Sequence, residues 1–422
     1  MQEQLLHFIW QHRYFAKGLL ATTTGDTLQI IKTGTLNTNQ GPDFIAAEII
    51  IGSITLVGNI EIHVKASDWY KHKHQEDPMY QPIILHVVWE NNCVIKTIKG
   101  IVIPCLDIAP YISKIMLANF SQMMLKRKGL PCSGLMEKVQ SLTWEAWQER
   151  LAIERLSRRA GEIKKQLQLY KGDWNKLALS LLAYQMGGKI NGAAFEAAMN
   201  LLSFQQIMRV SHTPNDLNAW LMGHLNLLPI HPKDEYPQML VTSFQFLQKK
   251  YPRKYHIPPA SFLRMRPAGF PTIRISQLVA WLAENKAVFQ VLTSISNRAD
   301  GNKVLHMQAN AYWDTHFCFD QHAPYLVKQI GQMQKDLLMI NLIAPLLFTY
   351  GWVNDKSAWQ QKAVSLLQEL PPETNHILFP WKRTNAPQQH AFHTQALLEL
   401  EKYYCTVKKC LSCSIGNAIL KT

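Results

Sequence analysis

An alternating row of polar side chains near the N-terminus is the part of this chain best suited to chemistry. Between Leu56 and Lys65 every second residue is apolar or glycine, and Glu61, His63 and Lys65 lie on the other side of the same segment. A strand with this period of two packs one face into a core and presents the other. The presented face therefore carries a carboxylate, an imidazole and an ammonium group side by side.

A second carboxylate precedes this row in the sequence. Asp43 directly follows Pro42 and opens an apolar run, residues 44–51. If the two segments pair as a hairpin, Asp43 and Glu61 come close enough to bridge one divalent ion. Magnesium prefers oxygen ligands, usually one or two carboxylates with water and a substrate phosphate. The pattern predicts a magnesium or manganese site on Asp43 and Glu61, with His63 or Lys65 orienting or activating the attacking water.

Four histidines form a second candidate site. His72, His74 and His86 follow His63 in the chain, and Asp68 lies between them. Together these side chains have the donor atoms of a transition-metal site, as in a zinc or manganese hydrolase. Two structural explanations stay open from the sequence, because His72 and His74 lie in a lysine-rich segment typical of a solvated loop. His86 lies in an apolar strand, where a core histidine usually bonds to a backbone carbonyl.

Cysteines near the C-terminus form a third candidate. Cys405, Cys410 and Cys413 have spacings typical of metal ligands, and Cys132, in a turn, is a candidate fourth ligand, with His393 as another. Zinc, an iron–sulfur cluster and reduced structural thiols all stay open. The chain has seven cysteines, an odd number, so we expect reduced or metal-bound thiols rather than disulfides.

The patterning predicts an α+β fold. A helix near residues 3–15 is followed by strands near 27–33, 44–51, 54–65, 83–89 and 93–103. The strand at 83–89 is almost entirely apolar, which predicts a central position covered on both faces. The rest of the chain has a helical period. We predict an α/β domain with a mixed sheet at 1–125 and a large all-α domain at 136–422. Its helices are predicted near 144–170, 174–186, 193–202, 216–225, 237–250, 275–284, 325–350 and 357–369.

Charge indicates an anionic partner. The composition is that of a globular protein, and the formal net charge is +14, which favours binding to nucleic acid, either DNA or RNA. A basic loop at 251–274 contains five prolines, so it is not helical, and its Arg264, Arg266 and Arg274 are predicted to hold phosphates. The alternative is a surface loop whose arginines pair with carboxylates of nearby helices.

Several classes of protein are not indicated. The sequence contains no P-loop, no dinucleotide-binding glycine motif after a strand, no HExxH zinc motif and no GxSxG nucleophile motif. The first residues lack the pattern of a signal peptide, and the most apolar stretch, residues 337–350, is too short to cross a membrane and contains Asn341 and Pro345. We therefore expect a cytoplasmic protein without a membrane partner.

Residues 1–105 resemble the PD-(D/E)XK nuclease superfamily. The shared features are a helix, a strand, a strand opened by Pro42-Asp43, a strand carrying Glu61-x-His63, and then a helix and a strand. The resemblance implies that Asp43 and Glu61 bind the divalent ion. His63 stands where that superfamily has the lysine that assists attack on phosphorus. Some PD-(D/E)XK nucleases also hold an iron–sulfur cluster through cysteines that flank the nuclease core.

Nearly the whole chain is also similar to the bacterial family called domain of unknown function 2851. The resemblance rests on Gly41-Pro42-Asp43-Phe44, Glu61-Ile62-His63, Ser67-Asp68-Trp69, Leu85-His86-Val87-Val88, residues 264–274 and the cysteines at the C-terminus. It implies no particular activity. The preferred function is metal-dependent hydrolysis of phosphodiesters in nucleic acid. The alternatives are a non-catalytic nucleic-acid-binding or scaffold protein on a degenerate nuclease core, and a zinc or manganese hydrolase that uses the histidines.

Overall fold

The computed structural model describes residues 1–15, 19–126, 129–252 and 257–421. Residues 253–256, which belong to the predicted basic loop, lie outside the described residues. The predicted α+β class is confirmed, because a mixed sheet near the N-terminus is followed by a large helical region.

Seven strands form the main sheet. They are β1 (Leu20–Ala21), β2 (Thr27–Lys32), β3 (Thr35–Leu36), β4 (Phe44–Ile51), β5 (Ile54–Lys65), β6 (Ile83–Glu90) and β7 (Cys105–Asp107). Their order is β1-β2-β4-β5-β6-β7, and β3 pairs with β4. The pairs up to β4–β5 are antiparallel, whereas β5–β6 and β6–β7 are parallel. A two-stranded ribbon, β8 (His316–Cys318) with β9 (Gln321–His322), lies in the helical region.

One predicted strand is wrong. Residues 93–103 form a turn with one isolated bridge, Lys96 to Val102, and the next strand begins only at Cys105. Gly100 has a φ of 75°, the backbone N–H of Gly100 donates to the carbonyl of Thr97, and the N–H of Thr97 donates to the carbonyl of Ile101. The β-branched residues of this segment favour a strand locally, but most of them are exposed and have no sheet neighbour. The segment therefore forms a turn rather than a strand, because no neighbouring strand pairs with it.

Sixteen α-helices are present in the described residues. In chain order they are α1 (Glu3–His12), α2 (Asp68–Lys71), α3 (Lys114–Leu125), α4 (Ser141–Leu169), α5 (Trp174–Asn200), α6 (Phe204–Val210), α7 (Pro214–His224), α8 (Glu235–Lys250), α9 (Pro271–Glu284), α10 (Val288–Ser294), α11 (Arg298–Val304), α12 (Gln332–Leu338), α13 (Ala344–Val353), α14 (Ser357–Glu369), α15 (Ala391–Leu400) and α16 (Ser414–Lys421).

Shorter helical turns connect these elements. The 3-10 turns are His74–Glu76, Pro78–Tyr80, Ala109–Tyr111, Met136–Lys138, Pro267–Gly269, Ala311–Thr315, Phe379–Arg383 and Cys410–Ser412, and the π-helical turns are Met339–Ile343 and Glu401–Cys405.

The two helices predicted at 174–186 and 193–202 are both present within α5, and the backbone leaves the helical conformation between them at Gly188, where φ is 62° and ψ is −160°. One predicted helix boundary differs from the structure. The helix predicted at 325–350 begins only at Gln332. The residues before it are extended, because the backbone N–H of Ala309 donates to the carbonyl of Lys328.

One apolar helical stretch, residues 332–353, is longer than the sequence indicated. A π-helical turn joins α12 to α13 and accommodates Asn341 and Pro345, so the stretch reaches 22 residues and is long and apolar enough to cross a membrane. Of its most apolar window, 72% is buried inside the protein, which is typical of a core helix. The predicted cytoplasmic location stays a prediction.

The chain forms two compact units. The first unit comprises Met1–Trp147, Arg383–Asn385 and Glu401–Thr422, and the second unit comprises Gln148–Lys382 and Ala386–Leu400. The last residues of the chain thus belong with the N-terminal sheet. The domain limits 1–125 and 136–422 stay predictions, because a spatial unit need not coincide with a domain.

Strand β6 lies in the interior of the first unit. Its residues 83–88 are buried with one exception, as expected for a strand covered on both faces. On one side of the sheet, Trp69, Tyr80, Val88 and Cys105 belong to a buried apolar cluster. This cluster anchors the segment between β5 and β6, which carries the histidines described below.

Candidate metal centre

Two carboxylates meet where β4 begins beside β5. The antiparallel register pairs Phe44 with Ile60, so Asp43 lies opposite Glu61. The backbone N–H of Asp43 donates to Glu61 Oε2 at 3.1 Å, and the backbone N–H of Ile62 donates to Asp43 Oδ2 at 2.9 Å. Each carboxylate is therefore held by the backbone of the other strand. The structure brings together the two residues that the sequence assigned to a divalent ion.

Two buried histidines lie deeper along the sheet. Glu61 and His63 are buried on the same face of β5, and parallel pairing puts His86 of β6 beside Glu61. His63 Nδ1 and His86 Nε2 form a hydrogen bond of 2.8 Å. His86 therefore bonds to another histidine rather than to a backbone carbonyl, and this contact orients the His63 ring so that Nε2 faces Glu61.

The segment after β5 folds back and adds two more histidines. Helix α2 is followed by Lys73, whose φ of 59° reverses the chain before the 3-10 turn that begins at His74. The His74 ring stacks on Tyr80 with centroids 3.9 Å apart and contacts the buried Trp69 edge-on. The aromatic side chains of the apolar cluster thus fix the position of His74, while His72 stays exposed to solvent.

His63, His72 and His74 offer ligand atoms that all lie within 4.8 Å of one another. Glu61 Oε1 is 3.5 Å from His63 Nε2 and 3.3 Å from His74 Nε2. Two ligands of a tetrahedral zinc ion, each about 2.0–2.1 Å from the metal, lie roughly 3.3 Å apart. The buried His74 Nε2 makes no hydrogen bond within the described residues, although Glu61 is close. Close approach without a hydrogen bond is what two ligands of one cation show, so these residues fit a metal ion.

The electrostatics of the cluster agree with this geometry. Burial, with a smaller contribution from the negative charge of Asp43, raises the pKa of Glu61 to about 9. Burial, together with the neighbouring histidines, lowers the pKa of His63 to about 3, and burial does the same for His86. The pKa of His74 is also lowered, mainly by burial. A neutral imidazole has a free lone pair that can bind a metal, and a bound cation would stabilise the ionised form of the buried Glu61 carboxyl group.

Helix α1 contributes two residues that sequence reasoning missed. His7 Nε2 is buried, lies 3.2 Å from Asp43 Oδ2 and makes no hydrogen bond within the described residues. Burial raises the pKa of Glu3, with His7 and Asp43 as the next largest influences. Glu3 and His7 are four residues apart and so share one face of the helix. This spacing was the available signal, but an amphipathic helix has many such pairs.

Two predicted residues of this region lie away from the histidine nitrogens. Lys65 is half-exposed, and its Nζ is 3.4 Å from Glu90 Oε2 of the neighbouring strand. Asp68 Oδ2 accepts a hydrogen bond from the backbone N–H of Lys65 at 3.2 Å. Lys65 is thus paired at the end of the sheet, and Asp68 caps the end of β5.

The predicted phosphate-binding arginines belong to the second unit. Arg264 and Arg266 are exposed, and Arg264 has a φ of 59°. The predicted non-helical segment 251–274 is wrong at its end, because α9 begins at Pro271 and the first turn of a helix tolerates proline. Arg274 is half-buried on α9, where its guanidinium donates to Gln277 Oε1 at 3.1 Å. Arg264 and Arg266 are accessible to a phosphate, whereas Arg274 is engaged within its own helix.

A cavity of about 520 Å³ lies in the first unit and includes His7 in its wall. Its other basic side chains are His12, Lys408 and Lys409, and Lys408 Nζ also donates to the carbonyl of Met124. His7, in the wall of this cavity, also contacts Asp43 through its buried Nε2. An anionic group is the kind of ligand that such a wall favours.

The cysteines form a separate site in the first unit. Cys132, Cys405, Cys410 and Cys413 line one small cavity. The other candidate fourth ligand, His393, belongs to the second unit, where its ring stacks on His390 with centroids 3.8 Å apart. Of the two candidates, the structure brings Cys132 to the C-terminal thiols.

Comparisons with known proteins yield one match. None of the curated proteins and none of the solved structures matches the sequence significantly. The family model described as Protein of unknown function (DUF2851) matches residues 3–376, nearly the whole chain. The chain therefore belongs to the DUF2851 family.

Proposed function

We propose that this protein is a metal-dependent hydrolase that cleaves phosphodiesters in nucleic acid. The observation that carries the proposal is the convergence of His63, His72 and His74, whose ligand atoms all lie within 4.8 Å of one another. The carboxyl group of Glu61 lies 3.5 Å from His63 Nε2 and 3.3 Å from His74 Nε2. These four residues would hold the ion, and Asp43 lies next to them. Bound to such a site, the ion lowers the pKa of a water molecule and makes it a nucleophile.

The donor set favours zinc or manganese. Three imidazole nitrogens and one carboxylate suit a transition metal, whereas magnesium prefers oxygen ligands throughout. A magnesium or manganese ion held by Asp43 and Glu61 is the first expectation from the sequence. The histidines support the zinc or manganese alternative because they surround the carboxylate that magnesium would need.

The chain's own residues supply the remaining chemistry. Asp43 Oδ2 is fixed by the backbone N–H of Ile62 and can accept a proton from the attacking water. His7, 3.2 Å from Asp43, is the candidate proton donor for the leaving oxygen. Lys65 pairs with Glu90, so we assign the activation of water to Asp43 rather than to Lys65.

Two features support a phosphodiester as substrate. The wall of the basic cavity includes Lys408, Lys409 and His7, whose ring contacts Asp43, and the chain has a formal net charge of +14. The strand that starts after Pro42-Asp43 and the neighbouring strand with Glu61-x-His63 also resemble the PD-(D/E)XK arrangement. In this comparison His63 takes the place of the lysine and adds an imidazole ligand.

Metal binding and cleavage can be tested together. The purified chain is stripped with a chelator and then loaded with zinc, manganese or magnesium. Single- and double-stranded DNA and RNA serve as substrates. We expect one zinc or manganese ion per chain and cleavage that the chelator abolishes. Asp43→Asn should keep the ion but lower the cleavage rate by roughly 10²–10⁴-fold, and His74→Ala should lose the ion.

A matched control is His376→Ala, which removes an exposed histidine of the second unit and should change neither property. Equal ion binding in His74→Ala and in the parent protein would contradict the site. Stoichiometric ion binding without cleavage of any substrate would contradict the hydrolase. If nucleic acid still bound under those conditions, the non-catalytic scaffold protein would become the better description.

A further inference from the structure

A second cavity of the first unit meets the basic cavity at His12. Its volume is also about 520 Å³, and its wall includes His12, Tyr14, Lys138 and Lys421. His12 belongs to the wall of the basic cavity as well, so this side chain lies where the two cavities join. Each volume is in the range typical of ligand sites, about 300–1,000 Å³. The two cavities together form one candidate binding surface.

The charged side chains of this surface are all basic. Lys408 and Lys409 line one cavity, Lys138 and Lys421 line the other, and all four are exposed. Among the described residues, neither wall contains an aspartate or a glutamate. Several cations without an intervening anion attract a ligand that carries a row of negative charges, as the phosphates of a nucleic acid do.

Three aromatic rings meet where the two cavities join. After α1 the chain reverses at Arg13, whose φ is 53°, and the backbone N–H of Tyr14 donates to the carbonyl of Ile9 at 2.9 Å. The Tyr14 ring stacks on His12 with centroids 5.4 Å apart, and the buried Phe8 contacts both rings. His12 is exposed and Tyr14 is half-exposed. The end of the helix thus presents two supported rings to solvent.

These rings suit unpaired nucleobases. Every base has a π-face, and proteins that bind single strands combine aromatic rings with a positively charged groove. Burial and the positive charge of Lys421 lower the pKa of His12, so its ring is neutral at pH 7. Lys421 Nζ lies 5.6 Å from the centroid of the Tyr14 ring, which places a cation beside the stacking position. In a duplex the base faces are covered by neighbouring pairs, so such rings distinguish unpaired from paired strands.

On the basis of the proposed function, we propose that the two cavities bind single-stranded nucleic acid and bring it to the candidate metal centre. His7 is the link, because it lies in the wall of the basic cavity and its Nε2 is 3.2 Å from Asp43 Oδ2. The lysines neutralise backbone phosphates, and His12 and Tyr14 stack with bases. Contacts of these two kinds do not read the base sequence, so the preferred substrate is a single strand of any sequence.

Binding can be measured in a chelator, where no metal-dependent cleavage takes place. The full-length chain is titrated into a labelled single strand of about 12 nucleotides and into the matching duplex, and fluorescence anisotropy gives both affinities. The parent protein should bind the single strand more tightly. Tyr14→Ala should weaken single-strand binding about 5- to 150-fold and leave duplex binding unchanged, whereas Tyr14→Phe should keep both. Tyr325→Ala, which removes an exposed tyrosine of the second unit, is the matched control.

The salt dependence of binding tests the lysines. For a single strand, the logarithm of the affinity falls by about 0.7 for each phosphate contact when the salt concentration rises tenfold. Lys138→Gln combined with Lys421→Gln should therefore reduce this slope by about 1.4. Lys99→Gln, which removes an exposed lysine of the first unit outside both walls, should leave the slope unchanged.

The outcomes separate this binding site from the hydrolase. Equal affinity of the parent protein for single strand and duplex would overturn the binding site, and that comparison needs no variant. Full single-strand affinity in Tyr14→Ala would overturn it too. Single-strand binding without cleavage in zinc or manganese would contradict the hydrolase and support the binding site. Cleavage of single strands at the same rate in Tyr14→Ala and in the parent protein would overturn the binding site and support the hydrolase.

Discussion

Metal binding at the histidine site is expected to release about one proton from Glu61 at pH 7. Burial keeps the pKa of this carboxyl group near 9, so in the metal-free protein it is protonated at neutral pH. A cation beside the carboxylate must displace that proton. His63 adds no proton, because its pKa is lowered to about 3 and the ring is already neutral.

The size of the effect on metal affinity follows from the difference between the pH and the pKa of Glu61. At pH 7 the group is about two units below a pKa of 9, which weakens the apparent metal affinity on the order of 100-fold. Between pH 7 and pH 8 the affinity of the parent protein should rise about tenfold more than that of Glu61→Gln. The comparison with the variant cancels protons lost by bound water.

Isothermal titration of zinc or manganese in two buffers of different ionisation enthalpy measures the released protons. The parent protein should release about one proton more than Glu61→Gln. Glu90→Gln, which removes an exposed carboxylate from the end of β6, is the control and should behave like the parent. Equal proton release in all three proteins would refute the reasoning, since Glu61 would then be ionised without metal or would not face it.

The same shift predicts the pH dependence of stability in the metal-free protein. The folded pKa of Glu61 lies above its ordinary value of 4.5, so the folded state holds a proton that the unfolded state has lost. The free energy of unfolding therefore falls as pH rises from about 4.5 to about 9. Urea denaturation at several pH values should show a smaller fall in Glu61→Gln.

Two further predictions concern the second unit. Burial lowers the pKa of Lys176 from 10.5 to about 8, so the unfolded state binds this proton more tightly than the folded state. The free energy of unfolding should therefore rise by up to about 3 kcal/mol between pH 8 and 10.5. Urea denaturation should show this rise in the parent protein and not in Lys176→Met. Glu399 is buried between Arg155 and Arg158, at 3.3 Å and 2.8 Å. Glu399→Gln should therefore cost about 3–5 kcal/mol of unfolding free energy, because two guanidinium groups lose the buried negative charge that they share. Glu162→Gln, which removes the exposed partner of Arg158, should cost less than about 1 kcal/mol, and equal costs would contradict the argument.

Much of the sheet could be predicted because its signals are local. The alternation from Leu56 to Lys65 indicated one face for Glu61 and His63, and the structure puts them on one face. The prediction that this face is presented was wrong for both residues, because β5 is covered on both faces at residues 60–63. The apolar run that became β6 indicated a covered strand. The turn at residues 93–103 shows the limit of such signals, because β-branched residues favour a strand even where no neighbouring strand is present.

The histidine site could be predicted only in part. His72 and His74 have the pattern of a solvated loop, and nothing local distinguishes the two explanations. Their position depends on the chain reversal at Lys73 and on the packing of His74 against Tyr80. His7 was missed because a single histidine on an amphipathic helix carries no signal for the carboxylate that it meets.

The sequence by itself determined which residue types were available and how each strand distributes them between its faces, since a period of two is a property of the local backbone. The α+β class could be predicted for the same reason, and the spacing of the cysteines is a property of the sequence itself. Only the tertiary structure decided that Asp43 meets Glu61, that three histidines gather beside them, and that Cys132 joins three thiols at the other end of the chain. These contacts depend on strand register and on packing between distant segments, and burial then sets the charge of Glu61 and His63, which no local pattern encodes.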